Sequence, residues 1–255
     1  MEFIEKKWIR RLLPGVLPVF VLLLWEFLSI GGIISPTTLP APTDVVKTGI
    51  VMIGTGELTG SLLISLYRAV AGFLIGGSIG FLLGVLNGFF KLSDLFLDTS
   101  VQMLRNIPHL ALIPLVILWF GIGETSKVFL VALGALFPIY INTYHGIRSV
   151  DKDLIEMGKS YGLSGASLFF NVVFPGALSS ILVGVRYALG VMWTTLIVAE
   201  TIASNSGIGY LSMNAREFMQ LDVIVLCILI YALLGKASDL IAKFFENRWL
   251  RWNRS

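Results

Sequence analysis

The sequence predicts an all-α polytopic membrane protein of about six transmembrane helices, with both ends on the same side of the bilayer. Composition is the first reason. The chain has 255 residues, of which 56% are hydrophobic and 14% charged, against about 25% charged in a soluble domain. Its mean hydropathy is +0.84. So few polar groups cannot cover a water-facing surface, which leaves lipid as the solvent. The second reason is that apolar stretches near the length of a span, about 20 residues, follow one another along the chain. The third is that the basic residues fall mainly in every second connection.

Span one runs from about Leu13 to Ile30. Basic residues precede it, as in a signal peptide, but the run is too long, holds Glu26 and has no small-residue cleavage site. It reads as a retained helix. The proline-rich "SPTTLPAP" that follows cannot be a continuous helix. A short interfacial helix is expected from Thr43. Residues 1–60 thus form an N-terminal span with an outer segment, and 61–255 the main transmembrane domain.

Span two is placed at about Ser61–Phe90 and carries Gly72, Gly76, Gly80, Gly84 and Gly88, one per helical turn. Such a stripe lets backbones approach closely in lipid, as a sliding surface, a pore wall or a static seam. Span three, about Leu104–Phe120, is broken by Pro108 and Pro114. Span four is about Val128–Ile147, span five about Val173–Ala203 and span six about Leu221–Ala242. The stretch "SNSGIGYLSMNAREFMQ" before span six reads as a loop. No long-period repeat is visible, which argues against a secondary transporter built from inverted repeats.

The charge rule orients the bundle. With both termini cytoplasmic, the inner segments hold Lys6, Lys7, Arg10, Arg11, Lys91, Arg148, Lys152, Lys159, Lys243, Arg248, Arg251 and Arg254. The outer loops hold Lys47, Lys127 and Arg216, a split of twelve to three. The connection "DKDLIEMGKSYGLSGASLFF", about 151–172, therefore faces the cytoplasm. Asp151 and Asp153 suit the positive end of a short helix that runs to Tyr161. Gly162 is its stop, free to take positive φ. Ser164 is placed to cap a second short helix, and Pro175 to open span five. Leu154, Ile155, Tyr161, Leu163, Leu168 and Phe169 would leave this segment an apolar knob. Exposing such groups is costly, since burying one stabilises by about 1.5–3 kcal/mol. Either a socket on a partner or the chain's own bundle must cover them.

Glu156, then Gly162, then Val172, Val173, Phe174 and Pro175 resemble the EAA loop of the membrane subunits of bacterial ATP-binding-cassette importers. Met157 stands where alanine is usual, and Gly158 replaces the second alanine. From about Leu39 onward, "QMLRNIPHLALIPLVILWFGIGE", "FPIYINTYHGIRSVD", "LIVAETIASNSGIGYL" and "FENRWLRWN" resemble the permeases of aliphatic sulfonate importers. Related branches handle taurine, nitrate or bicarbonate, and thiamine-precursor pyrimidines. The resemblance implies a type I importer permease (MetI-like) fold. It implies that Glu156, Met157, Gly158, Tyr161, Gly162, Leu163 and Pro175 couple the chain to an ATPase. It also implies a second copy of the chain, two ATPase subunits and an extracytoplasmic binding protein, in a bacterial inner membrane.

Other chemistry is excluded on the residues present. A phosphate-binding G-x-x-x-x-G-K-[ST] loop is missing, and "GIGETSK" has the wrong spacing. ATP and magnesium are thus expected on the partner, and the chain has no cofactor of its own. The sequence holds no metal-ligand cluster, and the single Cys227 forms no internal disulfide. A net charge of +3 predicts no nucleic-acid partner. "GLSG" at 162–165 matches a short string of intramembrane serine proteases. A serine nucleophile needs an oriented base, however, and that family places its histidine on a later span, whereas both histidines here precede Ser164.

Ionisable groups inside the membrane are usually functional. Counted from Pro175, Arg186 lies about 16 Å along span five, near mid-bilayer, and Glu200 about 21 Å beyond it. The two cannot pair, so Arg186 needs a carboxylate, carbonyls or a passing anion. Its planar fork suits a sulfonate. Arg68 and Arg105 lie nearer span ends, where snorkelling is easy. The substrate-path candidates are Arg186, Arg105, His109, Asn142 and Glu200. His109 is also readable as a packed polar residue. Asn142, with Thr143, Tyr144 and His145, would line an inner vestibule or sit at the interface.

Overall fold

The structure is a computed structural model that describes residues 7–250. Of the basic residues that orient the chain, Lys6, Arg251 and Arg254 lie outside them. The described residues are helical with short connections, and they form two compact units.

One unit takes in the described residues up to Ser61 and the segment Leu211–Ile230. It contains α1 (Lys7–Ile30) and α2 (Pro42–Gly54). Pro42 opens α2 in its first turn, where a missing N–H costs nothing. The Glu26 carboxylate of α1 accepts the Thr43 amide at 3.1 Å and the Thr43 hydroxyl at 2.9 Å, so α1 caps α2. Thr48 donates to Asp222 in the same unit. The stretch expected to be a loop is helical instead: α10 spans Ile208–Glu217. Glycine and polar residues masked a short amphipathic helix there.

The other unit, Leu62–Tyr210 and the described residues from Tyr231 onward, holds all or most of each remaining helix. These are α3 (Glu57–Phe89), α4 (Lys91–Arg105, with a π-helical turn at Asp94–Asp98), α5 (Ile113–Phe120) and α6 (Glu124–Arg148). They continue with α7 (Lys152–Ser160), α8 (Gly165–Leu168), α9 (Phe174–Ala203) and α11 (Leu221–Trp249). Four segments are long and apolar enough to cross a membrane: α3, α6, α8 continued into α9, and α11. The described apolar part of α1, Gly15–Ile30, is shorter.

The glycine stripe is a packing seam. An added Cβ on Gly72 would meet Val131, one on Gly84 would meet Thr143 at 2.7 Å, and one on Gly88 would meet Ile147 at 2.9 Å. At Gly76 and Gly80 it would overlap the carbonyls of Ala132 and Leu136. Residue numbers rise together on both helices, so α3 and α6 run parallel. On its other side α6 packs along α9. There Gly134 faces Thr195, Gly184 faces Asn142 and Gly146 faces Ser180, which makes that pair antiparallel.

The parallel pair has a topological consequence. The chain leaves α3 level with Ile147 and enters α6 at Glu124, the opposite end. Residues 91–120 must therefore travel back the full length of the bundle, about 36 Å for the 25 residues of α6. They do so as a broken crossing: α4 and the segment His109–Phe120 meet at 78°. Pro108 marks the break as expected. Pro114 does not break the chain, because it sits in the first turn of α5. Contacts locate the break. Asp94 accepts from Tyr144 and Asp98 from Tyr140, so α4 climbs antiparallel to α6. His109 Nε2 lies 3.0 Å from Thr195 Oγ1, level with Gly134. By rise per residue, Arg105 and His109 both lie about 14–15 Å from the Glu124 level, near the middle of the bundle.

The seam predicts a sharp contrast between two glycines of α3. Gly76→Val must push the backbones of α3 and α6 apart, and overpacking of this kind costs about 1–3 kcal/mol or more. Gly60, with open space around its Cβ direction, should tolerate alanine and gain up to about 1 kcal/mol of helix propensity. Thermal unfolding and the yield of monodisperse protein in detergent measure both.

Candidate functional site

Three polar constellations stand out from the apolar bundle, and they differ in how far they are already satisfied.

At the Glu124 end, Arg68 of α3 has no exposed surface. Its Nε and Nη2 grip the Glu124 carboxylate in a two-point fork. Nη1 donates to Glu200 at 2.8 Å and to the Ser206 carbonyl at 2.7 Å, and Nη2 donates to the Ser206 hydroxyl at 2.8 Å. All five donors of the guanidinium are thereby used. Glu200, also fully buried, further accepts from Ser65, from the Gly209 amide at 2.9 Å and from the Tyr231 hydroxyl at 2.9 Å. Gly207 has φ +102°, and a Cβ there would overlap the Glu200 carboxylate. The glycines of "SNSGIGYL" therefore exist to let the backbone wrap an acid. Glu200 faces no open space; it is an anchor rather than a wall of the path. The sequence reading ranked Arg68 low and missed its partnership with Glu124. The available signal was Glu200 itself, since a buried acid demands a cation at its own depth.

Arg186 finds its partner among the alternatives the sequence left open. Nε donates to Asp239 of α11 at 2.6 Å, and Glu246 lies 3.9 Å away. Lys236 and Lys243 flank the same aspartate. Counting depth from Pro175 overstated how centrally Arg186 sits. The helix continues back through a π-helical turn (Phe169–Val173) to Gly165, and Gly184 faces Asn142. Arg186 thus lies in the half of the bundle nearer Arg148. Beside it is an open cavity of about 650 Å³ lined by Val183, Tyr187, Gly190, Thr194 and Gly235.

Asn142 is half-buried at the crossing of α6 and α9. Its side chain donates to the Pro138 carbonyl at 2.8 Å, and its own carbonyl accepts from Ser180 at 2.7 Å. Thr143 is buried, whereas Tyr144 reaches Asp94, as does Arg148 at 2.8 Å. His109 is half-buried on Thr195. Arg105 is exposed at the break.

The third constellation is the connection between α6 and α9. Asp151 caps α7 by accepting the Asp153 amide at 2.9 Å. The other end closes in a Schellman turn. The Leu163 amide reaches the Gly158 carbonyl at 3.0 Å and the Gly162 amide the Lys159 carbonyl at 2.9 Å, with Gly162 at φ +84°. Gly158 is buried, and a Cβ there would meet Leu168 at 2.9 Å and Val172 at 3.1 Å. Small size is what brings α7 onto α8. Ser164 holds the N-cap position of α8 in extended backbone but makes no cap hydrogen bond. α8 is not a separate short helix, because it runs on as the opening turns of α9, with Pro175 at its second residue. The composition of the knob is also corrected. Leu168 is buried, and Ile155 and Phe169 pack against Ile147, Val150, Val173, Ala177 and Ile181. The exposed apolar groups are Leu154, Met157, Tyr161 and Phe170, with the Glu156 carboxylate exposed beside them.

Helices long and apolar enough to cross a membrane, tied by a buried ion cluster and joined by an elbow with exposed apolar groups, are the geometry of a membrane-embedded subunit. The chain belongs to the family of binding-protein-dependent transport system inner membrane components, whose model matches residues 76–251. It is a multi-pass inner-membrane permease component. An aliphatic sulfonates transport permease protein of Escherichia coli (strain K12) is 59% identical over 97% of this chain and 94% of that one. The protein of the same description from Bacillus subtilis (strain 168) is 44% identical over 97% and 89%. A solved amino acid ABC transporter with histidines superposes with a TM-score of 0.61 over 79% of this chain and 97% of that one. At 18% identity that likeness speaks for the fold alone, which is the type I importer permease fold expected from the sequence.

The ion cluster yields a quantitative expectation. Removing one partner of a buried pair strands the other charge, at about 3–5 kcal/mol. Glu200→Gln and Arg68→Met should each lower the unfolding temperature of the purified protein markedly. Asp239→Asn, at a half-exposed pair worth about 0–1 kcal/mol, should barely move it. Thermal scans of the three variants in one detergent make the comparison.

Proposed function

We propose that the chain is the membrane-spanning subunit of an ATP-driven importer and forms the translocation path for aliphatic sulfonates. A second copy completes the path along the dimer axis. Two ATPase subunits, which hold ATP and magnesium, dock on the cytoplasmic side, and an extracytoplasmic binding protein delivers substrate. Both termini face the cytoplasm, on the strength of the twelve-to-three charge split. Closure of the ATPase pair on ATP moves the two elbows and switches access between the membrane faces.

One observation carries the ATP-driven reading. The elbow of α7 and α8 is capped at both ends and packed from beneath, yet it presents Leu154, Met157, Tyr161 and Phe170 outward. A connection meant to fold back on its own bundle would bury those groups. Glu156, Met157, Tyr161 and Gly162 form the docking face in this reading. Gly158, Leu163 and Pro175 hold it to α9. The substrate class is supported by the two sulfonate permeases the chain resembles. Among the path candidates, Asn142 and His109 contribute to the wall, and Arg186 holds α9 to α11 through Asp239.

The assembled complex in vesicles, with ATP inside, should take up an alkanesulfonate in preference to taurine or nitrate. Preference for either of those would reassign the substrate, and uptake without ATP would replace the mechanism. Gly162→Val imposes about 1–3 kcal/mol of backbone strain on the turn. It should insert normally but co-purify poorly with the ATPase and lose stimulated hydrolysis. Glu156→Ala should act in the same direction more weakly, since a rim ion pair is worth about 0–1 kcal/mol. Wild-type uptake by Gly162→Val would make the elbow a passive loop.

A further inference from the structure

The geometry points to Arg105, at the break in the α4–α5 crossing, as the charge that receives the oxyanion head of the substrate in the path; this rests on the importer reading above. Four arginines lie on α3, α4, α6 and α9. Arg68 is held by Glu124 and Glu200, Arg148 by Asp94 and Arg186 by Asp239. Arg105 is the exception: among the described residues its side chain has no carboxylate partner and no hydrogen bond, and it is exposed.

Its depth makes that exposure meaningful. The ladder from Asp98 to Tyr140 and the contact from His109 to Thr195 both place the break near the middle of the bundle. The end-of-span position read from the sequence is therefore wrong, and snorkelling to an interface is not open to Arg105. A bare guanidinium is costly against lipid. Irregular backbone at membrane depth is tolerated only inside protein or along a water-filled cavity, and Asn106, Ile107 and Pro108 are irregular and exposed. At this depth the break must face the second copy or an aqueous path, and a charge without a carboxylate partner favours the path. Arg186 is a poorer receiver, because Asp239 and Glu246 already offset its charge. Arg105 presents an uncommitted planar fork that matches a sulfonate head. Met103, Leu104, Ile107 and Leu110 are exposed around it, a setting for an alkyl chain.

The test uses the complete complex in vesicles, after wild-type uptake of an alkanesulfonate has been established. If wild type itself does not transport, the importer reading fails and Arg105 is not the cause. Arg105→Gln should keep assembly and hydrolysis stimulated by the binding protein, and lose uptake at least tenfold. Arg105→Lys should recover part of it. Normal uptake by Arg105→Gln would overturn the proposal. A complex that fails to assemble with Arg105→Gln but transports fully with Arg105→Lys would overturn it too, by making the charge structural. A second measurement is independent of both variants. In Ile107→Cys, with Arg105 retained, the introduced thiol at the exposed break should react with a cationic water-soluble thiosulfonate, and millimolar alkanesulfonate should slow that reaction. A thiol sealed from the reagent, or one whose labelling the sulfonate leaves unchanged, would place Arg105 outside the path.

Discussion

A guanidinium without exposed surface must find five acceptors, and Arg68 finds them on three separate stretches of chain. Glu124 opens α6, Glu200 closes α9, and Ser206 belongs to the loop beyond. One charge on α3 thereby ties together the ends of two helices and the loop beyond them. Desolvating these ions is expensive, and only complete pairing repays it. Completeness explains details that look unrelated along the sequence, such as the positive φ of Gly207 and the amide that Gly209 turns inward. From this node the helices run on in contact, with α6 between α3 and α9. At Gly76 and Gly80 of α3 the backbones themselves meet, and the other glycines of the stripe make room for α6 side chains.

That frame divides the molecule into parts that are fixed and parts that are available. The α6–α9 pair leads straight into the elbow, whose under-surface shares a core with Ile147, Val150 and Val173. The segment that carries Tyr161 and Met157 is packed directly on the crossing helices through Ile155 and Phe169. The α4–α5 crossing is the contrast. Its two halves meet at 78° with irregular backbone between them, and it is tied to α6 by tyrosine–aspartate contacts below the break. A broken crossing beside a rigid seam gives a permease one element that can change without unpacking the rest.

Much of this was legible in the sequence, for physical reasons that can be named. Gly162 declared itself because a helix stop followed by polar turn residues calls for positive φ. Pro108 announced the break because proline removes an amide a helix needs. The elbow's burial pattern was not legible: Leu168 and Phe169 looked exposed until α8 proved to be the start of α9. Arg68 was undervalued because depth was judged from span ends, while its partners sit far along the chain at Glu124 and Glu200. Arg186 was overvalued for the matching reason, since Asp239 lies on a helix that periodicity alone cannot place beside α9. Long-range pairing of charges is the information that a single sequence withholds.

In the importer reading, α3, α6 and α9, held by the glycine seam and the Arg68 cluster, are expected to move as one body with the elbow, leaving change to the broken crossing. Hydrogen exchange of the assembled complex, measured by mass spectrometry with and without ATP and vanadate, tests it most directly. The account predicts slow exchange along α6 and α9 that nucleotide leaves unaltered, with changes at residues 103–112 and on the outer face of α7. Faster exchange along the glycine seam on adding nucleotide would show that the frame itself opens, and would contradict it.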